Sequence, residues 1–146
     1  MTTILAPREI AQKLNENYPT VVVDITDTAI LVDNKSLPVV MDYLKKTPGL
    51  DFNYLTMVAA VDYYQQFEVV YNLVSMIHNH SVVIKTRCDR ENATLPSVVE
   101  IWRSADLQER EIYDLMGITF EGHPNLKRIV LWPEFPGHPQ RRDYLQ

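Results

Sequence analysis

The stretch FNYLTMVAAVDYYQQFEVVYNLVSMIHNHSVVIKTRC, residues 52–88, decides the fold. It holds three apolar, β-rich runs, at residues 52–62, 67–77 and 81–88. In the second run Val69, Tyr71, Leu73 and Ser75 alternate with Glu68, Val70, Asn72 and Val74. A period of two places these sets on opposite faces of a strand. The links at residues 63–66 and 78–80 are short enough for antiparallel hairpins. The stretch therefore reads as a meander, and the long apolar run 52–62 is expected at the centre of its sheet.

Upstream, residues 7–17 read as a helix, with Pro7 in the first turn and Ile10 and Leu14 on one face. Residues 20–25 and 28–33 are β-branched runs around Thr26 and Asp27, the pattern of a hairpin. Ser36 is predicted to cap a second helix whose buried face is Leu37, Val40, Met41 and Leu44. Thr47, Pro48 and Gly49 end it. No βαβ rhythm and no repeat of solenoid length is present. The predicted class is α+β: an antiparallel meander beside the first hairpin, with two helices covering one face.

Downstream, residues 89–96 read as a polar loop and 96–102 as a short helix. A clearer helix spans 107–116, with Asp106 as N-cap and Glu109 three residues on, the spacing of a capping box. Gly117 fits the left-handed position that closes a helix. The pattern F-x-G-H-P then occurs twice, at residues 120–124 and 135–139, and four prolines fall within residues 124–139. That density excludes a long helix and a central strand. The chain divides into an α+β body, 1–103, and a charged helix with an extended proline-rich tail, 104–146, which is not an independent domain. The tail is expected to lie along another protein, and removal of residues 118–146 is expected to leave the body folded.

A chain of 146 residues with 46% hydrophobic content is about one globular domain. A net charge of −5 argues against a general nucleic-acid binder. The single cysteine, Cys88, cannot form an internal disulfide and cannot alone hold zinc or an iron–sulfur cluster. A reducing, cytosolic compartment is expected. No apolar run reaches the length of a membrane span, and MTTILAPREIAQ lacks the features of a signal peptide.

Gln108, Glu109, Arg110 and Glu111 are consecutive, so on a helix they point around most of its circumference. Arg110 and Asp114 have the spacing of an ion pair across one turn. Ile112, Leu115 and Met116 form an apolar side. Two readings stand side by side: a solvated helix with weak surface ion pairs, or a clamp whose charged groups bond to tail backbone or to a partner. His78 and His80 have metal-like spacing but no third ligand in view. His123 and His138 each lie between glycine and proline, which favours an extended backbone. Lys127, Arg128, Arg141 and Arg142 form two basic pairs suited to surface charge or to an acidic partner. Trp102 and Trp132 flank the region, Trp102 with core packing as its competing reading. No G-x-G-x-x-G, P-loop or G-x-S-x-G motif occurs. The residues alone describe an interaction subunit with an unidentified partner; the alternative from another class is a small metal-dependent enzyme using His123 and His138.

The run Q-E-R-E-I-Y-D-L-M-G-I-T-F-E-G-H-P-N-L-K-R-I, residues 108–129, followed by G-H-P-Q-R-R-D-Y, residues 137–144, closely resembles the signature of the 30 kDa-type subunit of respiratory complex I. This family comprises the C-type component of the bacterial NADH-quinone oxidoreductase and the J-type component of the cyanobacterial and plastid enzyme. The order and spacing hold over about the last 40 residues. Gln140 departs from the family, which usually has leucine there. The resemblance implies a peripheral-arm subunit with no catalytic, cofactor-binding or metal-ligating residue of its own. Its expected neighbours are a quinone-module subunit related to the hydrogenase large subunit and iron–sulfur subunits of the same arm. Iron–sulfur clusters and quinone, whether plastoquinone or ubiquinone, would belong to those partners. Members work in complexes that pass electrons from NADH, ferredoxin or a reduced deazaflavin to quinone, coupled to ion translocation. Related membrane-bound [NiFe]-hydrogenase-type complexes use an equivalent subunit. The implied location is the cytoplasmic or stromal-side face of an energy-transducing membrane, reached only through the complex, with no nucleic acid involved. Residues expected at the partner interface are Glu109, Arg110, Glu111, Asp114, His123, Pro124, Arg128, Trp132, His138, Arg141, Arg142 and Asp143.

Overall fold

A computed structural model describes residues 2–144. The elements in chain order are β1 (Thr3–Ile4), α1 (Pro7–Asn17), β2 (Val22–Ile25), β3 (Ile30–Val32), α2 (Leu37–Lys46), β4 (Tyr54–Asp62), β5 (Gln66–Ser75), β6 (His80–Asp89), β7 (Thr94–Pro96), α3 (Ala105–Met116) and β8 (Thr119–Glu121). The three runs of the opening stretch form the antiparallel meander β4-β5-β6. Val69, Tyr71, Leu73 and Ser75 are buried as the alternation requires. The main sheet has the order β2-β3-β6-β5-β4, with β1 also on β6.

The predicted class holds, and several details differ. The run 52–62 lies at the edge, not the centre. Its apolar character serves a helix rather than two flanking strands: α3 lies against it and bonds its backbone with side chains. Ser104 Oγ donates to Leu55 O (2.9 Å), and Gln108 Oε1 accepts from Val58 N (2.7 Å). A strand edge that would otherwise offer unpaired groups is thereby closed. The hairpin β2-β3 joins the meander through parallel pairing of β3 with β6, at Ile30 opposite Ile84. Strand β5 stops at Ser75, and His80 belongs to β6 opposite it, so the turn is residues 76–79.

Ser36 stands at the N-cap position of α2, as expected, but its side chain does not cap the helix. Ser36 ends a 3-10 turn, Asn34–Ser36, and its hydroxyl donates to Asp33 (3.3 Å). Residues 96–102 are not a helix, and part of the expected polar loop is strand. Thr94–Pro96 pairs in parallel with β8, and Ser97 N donates to Glu121 O (2.8 Å). Extended residues before Pro96 follow the bias that proline imposes.

The buried faces of α1 (Ile10, Ala11, Leu14) and α2 (Leu37, Val40, Met41, Leu44) meet the inward side chains of β5 and β6 in one hydrophobic core. Val98, Trp102, Ile112, Met116, Ile118 and Phe120 join the same core. Trp102 also donates its indole N–H to Phe52 O (3.1 Å), which makes its role packing. Residues on both sides of position 104 thus share one interior. Removing residues 118–146 would open it, since Ile118 and Phe120 are fully buried. This shared packing runs against the expectation that the cut leaves the body folded. Phe120→Ala is expected to cost about 3–5 kcal/mol, the usual loss for a buried phenylalanine. Urea unfolding checks it, and a loss under about 1 kcal/mol would contradict the shared core.

Candidate functional site

Helix α3 is where the sequence concentrates its charge, and the structure turns that charge inward. Ser104 stands at the N-cap position and Asp106 inside the first turn; neither caps the helix with its side chain. Glu109 is not the return partner of a capping box. It is completely buried and accepts hydrogen bonds from Ser97 Oγ and Val98 N (3.0 Å to the latter). Burial pushes its pKa up, against the opposing effects of these two donors and the nearby His123. His123 Nε2 lies 3.0 Å from the Asp106 carboxylate, and its Nδ1 accepts from Asn125 N (3.0 Å).

At the other end of α3, Asp114 is also fully buried. Its Oδ2 accepts three successive backbone N–H groups, Ile129 (3.1 Å), Val130 (2.7 Å) and Leu131 (2.9 Å). Successive amides converging on one anion form a nest. Burial acts to raise the Asp114 pKa, but the three amides and Arg128 outweigh it and the net direction is down. Arg128 Nε stands 3.5 Å from Asp114, and its Nη2 donates to Gly137 O (2.8 Å). The expected pair between Arg110 and Asp114 does not form. Arg110 Nε donates to Lys127 O (3.1 Å) instead, so both residues hold the tail.

The last carbonyls of α3 are taken in turn by the tail. His138 Nδ1 is 3.0 Å from Asp114 O, Gln140 N donates to Leu115 O (3.0 Å), and Arg141 Nε donates to Met116 O (2.6 Å). A helix end leaves such carbonyls without internal partners, and Arg141 adds a positive charge where the helix dipole is negative. Gln140 makes its contact through backbone, so this bond does not need leucine there. Gly117 is required twice over. Its φ is +74°, and a Cβ would lie 2.6 Å from His138 and 2.7 Å from Arg141.

The tail then reaches the body. Asp62, buried at the end of β4, accepts Arg142 N (2.8 Å) and Tyr64 N (2.7 Å) and pairs with Arg90. Arg90 Nη2 donates to Asp143 (2.6 Å). Arg90 holds the Asp62 carboxyl down to about 2, against burial and with help from the two amides. The guanidiniums of Arg90 and Arg141 lie 5.1 and 5.0 Å from the Phe67 ring centre. The tail, expected to lie along another protein, follows its own body from residue 127 to 143.

Of the residues expected to face a partner, Glu109 and Asp114 have no exposed surface, and the side chains of His123 and Arg128 have little or none. Arg110, His138 and Arg141 are half-buried; Glu111, Pro124, Trp132, Arg142 and Asp143 are exposed. Trp132 is 59% exposed and Val130 58%, beside Ile129. Sequence reading missed Asp62, Arg90 and Ser97, which carry no motif and are joined to the tail only by the fold. His78 and His80 stack at 5.4 Å, with His78 2.7 Å from Asp51 and His80 2.8 Å from Leu50 O. Among the described residues no group of three His, Cys, Asp or Glu is placed to hold a metal ion. Burial pushes the Cys88 thiol up to about 11, which keeps it protonated at neutral pH. Among the described residues no helix is long and apolar enough to cross a membrane.

Solved structures share this fold. A trypsin-resistant fragment of Nqo5 superposes with a TM-score of 0.67 at 28% identity, covering 82% of this chain and 99% of the fragment. A chain of the membrane-bound sulfane sulfur reductase, an archaeal respiratory membrane complex, gives 0.75 at 25% identity, covering 94% of this chain and 84% of its own. The class is thus an α+β chain with the fold of a respiratory-complex component. Residues 30–146 match the family of the 30 kDa subunit of respiratory-chain NADH dehydrogenase, and the chain belongs to that family. It is 44% identical over 105 residues to a C-type NADH-quinone oxidoreductase component of Rhizobium meliloti, an alignment covering 70% of this chain and 57% of that relative.

The clasp has a pH signature. A carboxylate whose folded pKa is depressed contributes stability that is present above its unfolded value and lost as pH falls through the folded one. For Asp62 that window runs from about 3.8 down to about 2, and Asp114 acts in the same direction. Thermal unfolding between pH 4 and 2 is expected to show a falling midpoint, with a shallower slope in Asp62→Asn. An identical slope in the variant would show that Asp62 is not held ionised.

Proposed function

We propose that this chain is the C-type component of a complex I-like oxidoreductase that passes electrons from NADH or ferredoxin to quinone, coupled to proton translocation. Its part is scaffolding, with no cofactor of its own. It packs on the hydrogenase-large-subunit-like quinone-module subunit and neighbouring iron–sulfur subunits, peripheral to the membrane on its cytoplasmic or stromal side. Family membership and the relatives' names support the setting. The observation that carries the scaffolding role is the loop held by Asp114 and Arg128. It presents Ile129, Val130 and Trp132 to solvent in a fixed arrangement, with Trp132 packed edge-on to Phe135 at 5.0 Å. A pre-ordered loop with exposed apolar and aromatic side chains suits an interface, because little entropy remains to be lost on binding. Glu111, Pro124, Arg142 and Asp143 are the exposed residues placed to extend it.

A second reading is favoured by the likeness to the sulfane sulfur reductase chain, which covers more of this chain than the Nqo5 fragment does. On this reading the chain works in a related membrane complex with another electron acceptor, such as a [NiFe]-hydrogenase type. Nickel-ligating cysteine pairs in the large partner would decide for hydrogenase. The metal-enzyme reading loses support from geometry. His123 sits beside Asp106 and His138 beside Asp114, so they mark positions roughly 12 Å apart along the helix.

The test is affinity purification of the tagged full chain from detergent-solubilised membranes. The wild-type chain is expected to bring iron–sulfur subunits and NADH- or ferredoxin-dependent quinone reduction. Val130→Ala with Trp132→Ala, both exposed, is expected to lower the yield of partners by about tenfold or more while costing no more than the roughly 1.5 kcal/mol of the Trp132–Phe135 pair in stability. Normal partner yield from the double variant, or a wild-type chain that purifies alone, would overturn the proposal.

A further inference from the structure

The turn between β4 and β5 is held in an unfavourable shape. Gln65 N donates to Tyr63 O (2.8 Å), closing a three-residue turn around Tyr64, whose φ is +66°. A turn of this kind with positive φ is rare and strained, and a bulky L residue seldom enters that region. Surrounding groups must hold such a conformation in place.

Beside the backbone bond from Tyr63 N to Gln66 O (3.0 Å) that closes the hairpin, three side-chain contacts do so. Tyr64 N donates to Asp62 Oδ1 (2.7 Å), Tyr64 O accepts from Arg90 Nη1 (3.3 Å), and the Arg142 guanidinium lies 5.3 Å from the centre of the Tyr64 ring. Every one of these side-chain supports also leads to the tail. Asp62 binds the Arg142 amide through its other oxygen, and Arg90 binds Asp143 through its other terminal nitrogen. The turn and the tail, 80 residues apart in sequence, share the same carboxylate and the same guanidinium.

We propose that residues 140–144 are a latch that keeps the β4–β5 turn in its strained form, so that lifting the tail and relaxing the turn are one event. The tail side is the accessible one: the Asp143 side chain is 61% exposed, whereas Asp62 is buried. Tyr63 and Tyr64 are both exposed, so relaxation changes the surface the molecule presents at that corner. Whatever displaces Arg142 and Asp143 is reported at two tyrosines it need not touch. The coupling lies within one chain and does not depend on the complex in which the chain works.

Amide hydrogen exchange on the full chain, followed residue by residue, tests this. In the wild type the amides of Tyr64 and Arg142 are expected to exchange slowly and at similar rates. Arg142→Ala with Asp143→Asn alters only exposed side chains and is expected to speed both amides about tenfold, in parallel. Tyr64→Gly relieves the strain; in that background the same tail substitutions are expected to speed residue 142 and leave the turn amides unchanged. A turn that is indifferent to the tail substitutions in the native sequence would overturn the latch. So would turn amides that respond equally with glycine at position 64, or a residue 142 amide that is unprotected in the wild type.

Discussion

The end of helix α3 poses a problem that the rest of the molecule is arranged to solve. Asp114, Leu115 and Met116 are buried, and their carbonyls lack the partners that further helix would provide. The Asp114 carboxylate is buried with them. An unmatched buried carboxylate costs several kcal/mol or takes up a proton. The tail supplies the donors, His138, the Gln140 amide and Arg141 for the carbonyls and three successive amides for one carboxylate oxygen, and it sets the charge of Arg128 3.5 Å from the other oxygen.

The exchange works in both directions. After Glu121 the described chain has no strand or helix in which to pair its own backbone. Buried polar backbone without partners is not tolerated, so a segment of this kind needs charged side chains to organise it. Asp114, Arg110 and Arg128 do that between residues 127 and 137, and Asp62 and Arg90 do it between 142 and 143. Glycine enters where helix end and tail press together, at Gly117 under His138 and Arg141, and where the tail folds on itself, at Gly137 against Tyr144. An irregular loop fixed in this way can show Trp132 and Val130 to a partner without an ordering cost, which links the clasp to the proposed scaffolding role.

The strands and the first two helices are legible in the sequence because burial imposes a period: two in residues 67–75, and the i, i+3, i+4, i+7 set of α2. Periodicity does not say which neighbour covers a strand, so an apolar β4 reads as central although a helix closes its edge. The spacing of Asp106 and Glu109 matches a capping box, yet Glu109 turns to Ser97 and Val98, whose position depends on the pairing of β7 with β8. Charges on every side of α3 leave a solvated helix and a clamp both open. The clamp is what forms, and the signal for it is the tail's own need for donors and acceptors. Asp62 and Arg90 stay invisible because two isolated residues become a site only once the meander brings them to the end of the chain.

The tail is fastened to its own body by Asp114 before any partner binds. Residue-resolved amide exchange at Ile129, Val130 and Leu131 in the isolated chain tests this directly. Strong protection of all three amides is predicted, lost together in Asp114→Ala while the amides of β5 and β6 remain protected. Exchange of the three at unprotected rates in the wild type, or their continued protection in the variant, would contradict it.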